Sequence, residues 1–127
     1  MAIPSGSGTE VVKRTSIHAQ GNTATAFRWD GTMATTGTST YAVPTNHIII
    51  VLSIFVTDQG GATKVAHLHQ NDGANNHYLM QSQSIPGHGT FILNDKFVLT
   101  SGDKLIALGE SGSNFDFYCS YIDQDWS

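Results

Sequence analysis

Short apolar, β-branched runs recur along the chain, each closed by Gly, Asn, Asp or Pro, and the period is that of strands rather than helices. Glu10 to Ala19 reads as a strand with Val11, Thr15 and Ile17 among its β-formers. Ala24 to Asp30 sets Ala24, Ala26 and Arg28 against Thr25, Phe27 and Trp29, then closes on Asp30-Gly31. Met33 to Thr40 has no period and reads as a loop, whereas Tyr41 to Thr45 is short and extended because Pro44 restricts Val43. The strongest element is His47 to Asp58, whose Ile48–Val56 run is apolar on both parities, the pattern of a strand buried on both faces. Lys64–His69, Tyr78–Gln83 and Thr90–Leu93 continue the series. Near the end, Phe97-Val-Leu99 runs into the turn Thr100-Ser-Gly-Asp103, and Leu105–Leu108 runs out of it. That pattern predicts a hairpin, with a third antiparallel strand at Phe115–Ile122. Strands in this rhythm, with no credible helix, predict an all-β, antiparallel β-sandwich of the jelly-roll kind.

Composition narrows the class. A chain of 127 residues makes one domain able to bury its own core. Residues 10–127 are expected to form that sandwich and 1–9, rich in Gly and Ser with Pro4, a flexible N-terminal arm. Only 13% of residues are charged, about half the usual share, and short polar side chains fill the gap. A net charge of −4 with six Lys and Arg leaves no footprint for nucleic acid. The start of the chain lacks the basic and apolar regions of a signal peptide. The longest apolar run, Ile48–Val56, is far short of the roughly 20 residues a membrane helix needs, so no membrane partner is expected. The single cysteine, Cys119, excludes an intrachain disulfide framework and suits a cytosolic site of assembly.

Chemistry is sparse. Four of the six histidines fall between residues 67 and 88. His67 and His69 would share one face of a strand, so both imidazoles could reach one ion, with His77 as a third nitrogen ligand. Gly61 and His67-Leu-His69 resemble the opening of the cupin metal motif, but Gly73 and Ala74 stand where that family carries its glutamate, and Pro86, Gly87, His88 and Asn94 match its second motif only with wrong spacings. No metal or cofactor is therefore assigned, and the histidines are expected at the surface or at a subunit contact, where they would charge together near the histidine pKa of about 6.5. Cys119 lies in an aromatic strand and reads as inert packing. No nucleophile elbow occurs, and Asp116, Asp123 and Asp125 read as a solvated acidic edge. Asn71, Asp72, Asn75 and Asn76 lack the spacing of a calcium loop, and Gly87-His-Gly89 is too short to cradle phosphate. Trp29, Tyr41, Tyr78 and Trp126, with the polar loop Asn71–His77, are the residues available for a sugar site. No catalytic residue is assigned, and the chain is expected not to be an enzyme.

Two resemblances rest on these residues. Phe97-Val-Leu-Thr-Ser-Gly-Asp-Lys-Leu-Ile-Ala-Leu108 followed by the aromatic strand resembles the closing strands of tumour-necrosis-factor-like and C1q-like jelly rolls, which implies a trimer with aromatic residues of the last strands around a three-fold. Pro4–Arg14, Asp30–Gly37, Tyr41–Ile49 and Ser120–Trp126 are similar to small virion structural proteins of tailed bacteriophages, marine and cyanobacterial ones in particular. That likeness implies a virion component assembled in the bacterial cytoplasm. The first expectation is a homotrimeric capsid decoration (cement) protein on the major capsid protein or another virion protein. The alternative is a neck or tail-fibre subunit, the latter binding carbohydrate.

Overall fold

The computed structural model describes residues 8–126, all strand, turn and loop. Nine strands form: β1 (Thr9–Gln20), β2 (Thr25–Ala26), β3 (His47–Asp58), β4 (Lys64–Asn71), β5 (Asn76–Ile85), β6 (Thr90–Leu93), β7 (Phe97–Thr100), β8 (Lys104–Gly109) and β9 (Phe115–Asp125). The chain folds back on itself at the β4–β5 turn and pairs outward from there. β4 pairs β5, β3 pairs both β6 and β7, β2 pairs β8 and β1 pairs β9, all antiparallel. The resulting long hairpin is rolled into two sheets, β1-β9-β3-β6/β7 and β2-β8-β4-β5, which is the jelly roll that the strand rhythm predicts. Of the expected arm, residues 1–7 lie outside the described residues, and Thr9 already belongs to β1.

The core fills the space between the sheets. Ile49, Val51, Ile54 and Val56 of β3 and Phe115, Phe117, Cys119 and Tyr121 of β9 meet Ala66, Leu68, Leu105 and Ala107 of the second sheet. Phe27 and Trp29 close one flank, with Trp29 meeting the Tyr121 ring edge-on at 4.9 Å. The Tyr121 hydroxyl accepts the Gly31 N–H at 3.0 Å, which ties the β2–β3 connection to β9. Burial pushes the Tyr121 phenol up to about 12, so it stays protonated.

Three expectations change. β3 is buried along its length on one face only: Ile49, Val51, Ile54 and Val56 face the core, while on the other side Ile48 is buried, Ile50 half-buried and Phe55 exposed. An apolar run cannot distinguish a side chain buried by its own core from one left for a neighbour. The Phe97–Leu108 segment is not a hairpin, because β7 joins β3 in one sheet and β8 joins β2 and β4 in the other. Its turn is as predicted, with Gly102 at φ +88° and Asp103 N–H bonded to Thr100 O at 2.9 Å. Val43, however, takes the backbone groups a hairpin would use: its N–H donates to Asp103 O and its carbonyl accepts Gly102 N–H, both at 2.9 Å. The turn is thus a corner between sheets. Finally, the 24–30 strand shortens to Thr25–Ala26 because Asp30 Oδ1 accepts both Thr32 N–H and its hydroxyl, turning the chain away.

The β2–β3 connection also covers part of an open edge. Ala34 N–H donates to Ser16 O at 2.8 Å, Thr15 Oγ1 to Thr32 O at 3.0 Å and Thr36 Oγ1 to His18 O at 2.6 Å, shielding the second half of edge strand β1.

Candidate functional site

The three candidate metal residues do not converge. His67 and His69 project from the outer face of the second sheet, opposite Leu108 and Ile106 of β8. His67 Nδ1 accepts the Ser82 N–H at 3.0 Å, so a neutral ring carries its proton on Nε2 and has no lone pair left for an ion. His69 is buried, its Nδ1 is without a hydrogen-bond partner, and the Tyr78 ring lies 5.0 Å from its own. Burial, then the nearby His67, depresses its pKa and favours the neutral form. His77 turns the other way, to Asp72 at 2.9 Å. Among the described residues no group of three His, Cys, Asp or Glu side chains is placed to hold a metal.

The polar loop at 71–77 spends its hydrogen bonds on itself. Asp72 Oδ1 accepts Ala74 and Asn75 N–H, Asn71 Oδ1 accepts Gly73 N–H, and Asn71 and Asn76 amides join at 2.6 Å. The Asn75 N–H first, then His77 and the Ala74 N–H, hold the Asp72 carboxyl well below the usual carboxylate range. This loop is a turn-forming device. Cys119 is buried as expected, and burial pushes its thiol far above the usual range, which leaves no thiolate at neutral pH.

One acidic residue departs from its expected place. Asp123 shares the parity of Phe115, Phe117, Cys119 and Tyr121 and is only 3% exposed, not part of a solvated edge. Its Oδ2 accepts Lys13 Nζ at 3.0 Å from β1, and its Oδ1 meets His47 Nδ1 at 2.7 Å from β3. The other ring nitrogen of His47 lies 3.5 Å from Asp125. The group therefore clamps three adjacent strands at one end of the sandwich. Asp116, by contrast, is more open and pairs with the exposed His18 at 3.0 Å.

The most extensive feature is the outer face of the β1-β9-β3-β6/β7 sheet. Cross-strand pairing sets Val12, Ile122, Ile50 and Val98 in one row across it. A second row runs Ser16, Tyr118, Phe55 and Ile92. Val12 is 71% exposed, Val98 57% and Ile92 52%, with Phe55 and Tyr118 also exposed. Polar Arg14, Ser120 and Ser53 separate the rows. Five of the nine large exposed hydrophobic side chains of the described residues thus lie on one sheet face. The two rows concentrate exposed apolar side chains on this face, the feature by which an interaction surface is sought. The aromatic residues expected around a three-fold contribute only Tyr118, because Phe115, Phe117 and Tyr121 point into the core.

The four candidate sugar-site aromatics separate. Tyr78 packs on His69, and Trp126 sits against Gly8 at the clamp end of the sheet. Trp29 and Tyr41 come together, lining a cleft of about 370 Å³ with Arg28, Asp30, Thr40 and Pro44.

No family model matches the chain, and no curated protein does. Among solved structures, a subunit of Bacillus endospore appendages, described as a family of disulfide-linked pili, matches at 16% identity over 100% of this chain and 97% of that one, with a TM-score of 0.55. A chain of infectious bursal disease virus Gx strain aligns at 10% identity over 90% of this chain and 32% of its own length, TM-score 0.42. The tumour necrosis factor Eiger from S. frugiperda aligns at 17% identity over 88% and 91%, TM-score 0.37. The likeness to the appendage subunit is one of fold, over nearly the whole of both chains.

Proposed function

We propose that this chain is a non-enzymatic virion structural subunit of a tailed phage: a homotrimeric decoration protein whose apolar sheet face packs on further copies of itself. The observation that carries this reading is the pair of apolar rows, Val12–Ile122–Ile50–Val98 and Tyr118–Phe55–Ile92, gathered on one sheet face. The charged groups beside them are Arg14, Glu10 and Asp116, a mixture of signs that suits a second copy better than a uniformly charged partner. Cohesion between copies would be non-covalent, since the only cysteine is buried. The similarity of Pro4–Arg14, Tyr41–Ile49 and Ser120–Trp126 to phage virion proteins supports placing the assembly on a particle.

Copy number tests the virion reading. Particles of the producing phage, banded on a density gradient, are expected to contain the chain at a fixed ratio to the major shell protein, measured by quantitative mass spectrometry. A ratio near that of the shell protein supports decoration. A few copies per particle would move the assignment to neck or fibre, and absence from banded particles would overturn it.

A further inference from the structure

The cleft within the β2–β3 connection has a chemistry that neither the fold nor the assembly face requires. Arg28 Nε donates to Asp30 Oδ2 at 2.9 Å, and the guanidinium carbon lies 5.0 Å from the centre of the Tyr41 ring. Carboxylate and ring together fix the guanidinium plane, and its remaining N–H donors are not used by that bond. Asp30 is held ionised: the Thr32 hydroxyl, the Thr32 N–H and Arg28 all favour its carboxylate form. Thr40 adds a hydroxyl to the wall, and Pro44 and the Tyr41 ring add apolar surface. Trp29 lines the same cleft, is buried, and its indole N–H has no hydrogen-bond partner. A buried donor left without an acceptor is costly unless a bound group or water supplies one.

These groups select among ligand classes. The Arg28 charge is already matched by Asp30 at hydrogen-bond distance, so a phosphate or carboxylate gains little and meets the Asp30 carboxylate. A wholly apolar ligand would desolvate both charges. A ring bearing adjacent hydroxyls satisfies each group at once: hydroxyls accept from Arg28 and donate to Asp30, while its C–H face lies on Tyr41 or Pro44. We propose that this cleft is a binding site for a neutral saccharide, with Arg28 and Asp30 reading adjacent hydroxyls. The volume of about 370 Å³ lies at the small end of ligand pockets, enough for one pyranose and part of a second. This inference stands on the cleft alone and is independent of the assembly reading.

The Trp29 indole makes the test local to the cleft. Methyl α-D-glucopyranoside, methyl α-D-mannopyranoside and methyl β-D-galactopyranoside are titrated separately into the ¹⁵N-labelled chain, with inorganic phosphate as the anion control. The expected result is a saturable shift of the Trp29 indole N–H with at least one glycoside and none with phosphate. The Gly89 amide, tied to Pro86 and Asp58 at the opposite end of β3, should stay in place. Arg28→Ala should weaken the binding at least about tenfold while the Gly89 resonance reports that the fold persists. Asp30→Asn, which keeps the shape, should weaken it as well. No saturable Trp29 shift with any of the three glycosides would overturn the proposal. So would a phosphate response, or equal binding by both variants.

Discussion

Replacing Gly87 by alanine is expected to destabilise the fold by about 3 kcal/mol or more, an overpacking cost in the upper range because rigid groups must move. A Cβ at this position would fall onto the carbonyl carbon and oxygen of Gly61 and lie 2.9 Å from Ala62 N. These are backbone atoms, which cannot swing aside as a side chain would. The contact joins the loop after β3 to the turn after β5, two of the places where the chain changes sheet at this end of the sandwich. Both loops are also tied by backbone hydrogen bonds, His88 N–H to Gly60 O and Asp58 N–H to Gly89 O, each at 2.9 Å. Separating the loops to admit a methyl group would break those bonds. Gly73 is the control. Its φ of +98° strains an alanine, but a Cβ there meets nothing within 4 Å, so about 1 kcal/mol is expected. Urea denaturation of the two variants beside the parent chain measures the difference. A Gly87→Ala midpoint matching that of Gly73→Ala would contradict the close approach of the two loops.

The second large effect is expected at Asp123. Its carboxylate serves Lys13 and His47 from a nearly closed position, so Asp123→Ala leaves a cation and an imidazole without their partner. Breaking a buried pair from one side costs about 3–5 kcal/mol. The lower end applies here, because Lys13 and His47 retain side-chain exposures of 29% and 19% and can recover some hydration. A fall in Tm on the order of 10 °C follows for a domain of this size. Removing Lys13 instead, as Lys13→Met, leaves Asp123 bonded to His47 and keeps an apolar stem, so about 1 kcal/mol is expected. Calorimetry on both variants checks the order. Equal losses, or a loss below about 1 kcal/mol for Asp123→Ala, would mean that the clamp does not hold the three strands together.

Particular residues show what the sequence makes legible. The bounds of β3 and β6 follow directly from apolar runs ended by turn residues, since a strand stops where side chains that favour local backbone bonds begin. The corner between β7 and β8 is illegible for the same reason: Thr100–Asp103 is a good turn whether its flanking strands pair or part. What decides is Val43, more than fifty residues away in the chain, which occupies the turn's backbone groups. The burial of Asp123 was available in principle, because it keeps step with four buried residues of β9. Its partners are not, lying 110 and 76 residues away. Gly87 gives no local sign that it abuts Gly61. The cleft is hidden similarly, for Arg28 and Tyr41 meet only after the connection folds back over β1.

If the two apolar rows join copies of the chain, charges placed on the outer sheet face must separate them. Native mass spectrometry of the intact chain beside the Val12→Lys, Val98→Lys double variant reads that face directly, since both residues project outward and neither belongs to the core. The expected result is a trimer of the 13.6 kDa chain and a variant that is monomeric yet still unfolds cooperatively, at a midpoint below the parent's because it has lost the stabilisation of assembly. A parent chain that is monomeric, or a variant that remains trimeric, would contradict it.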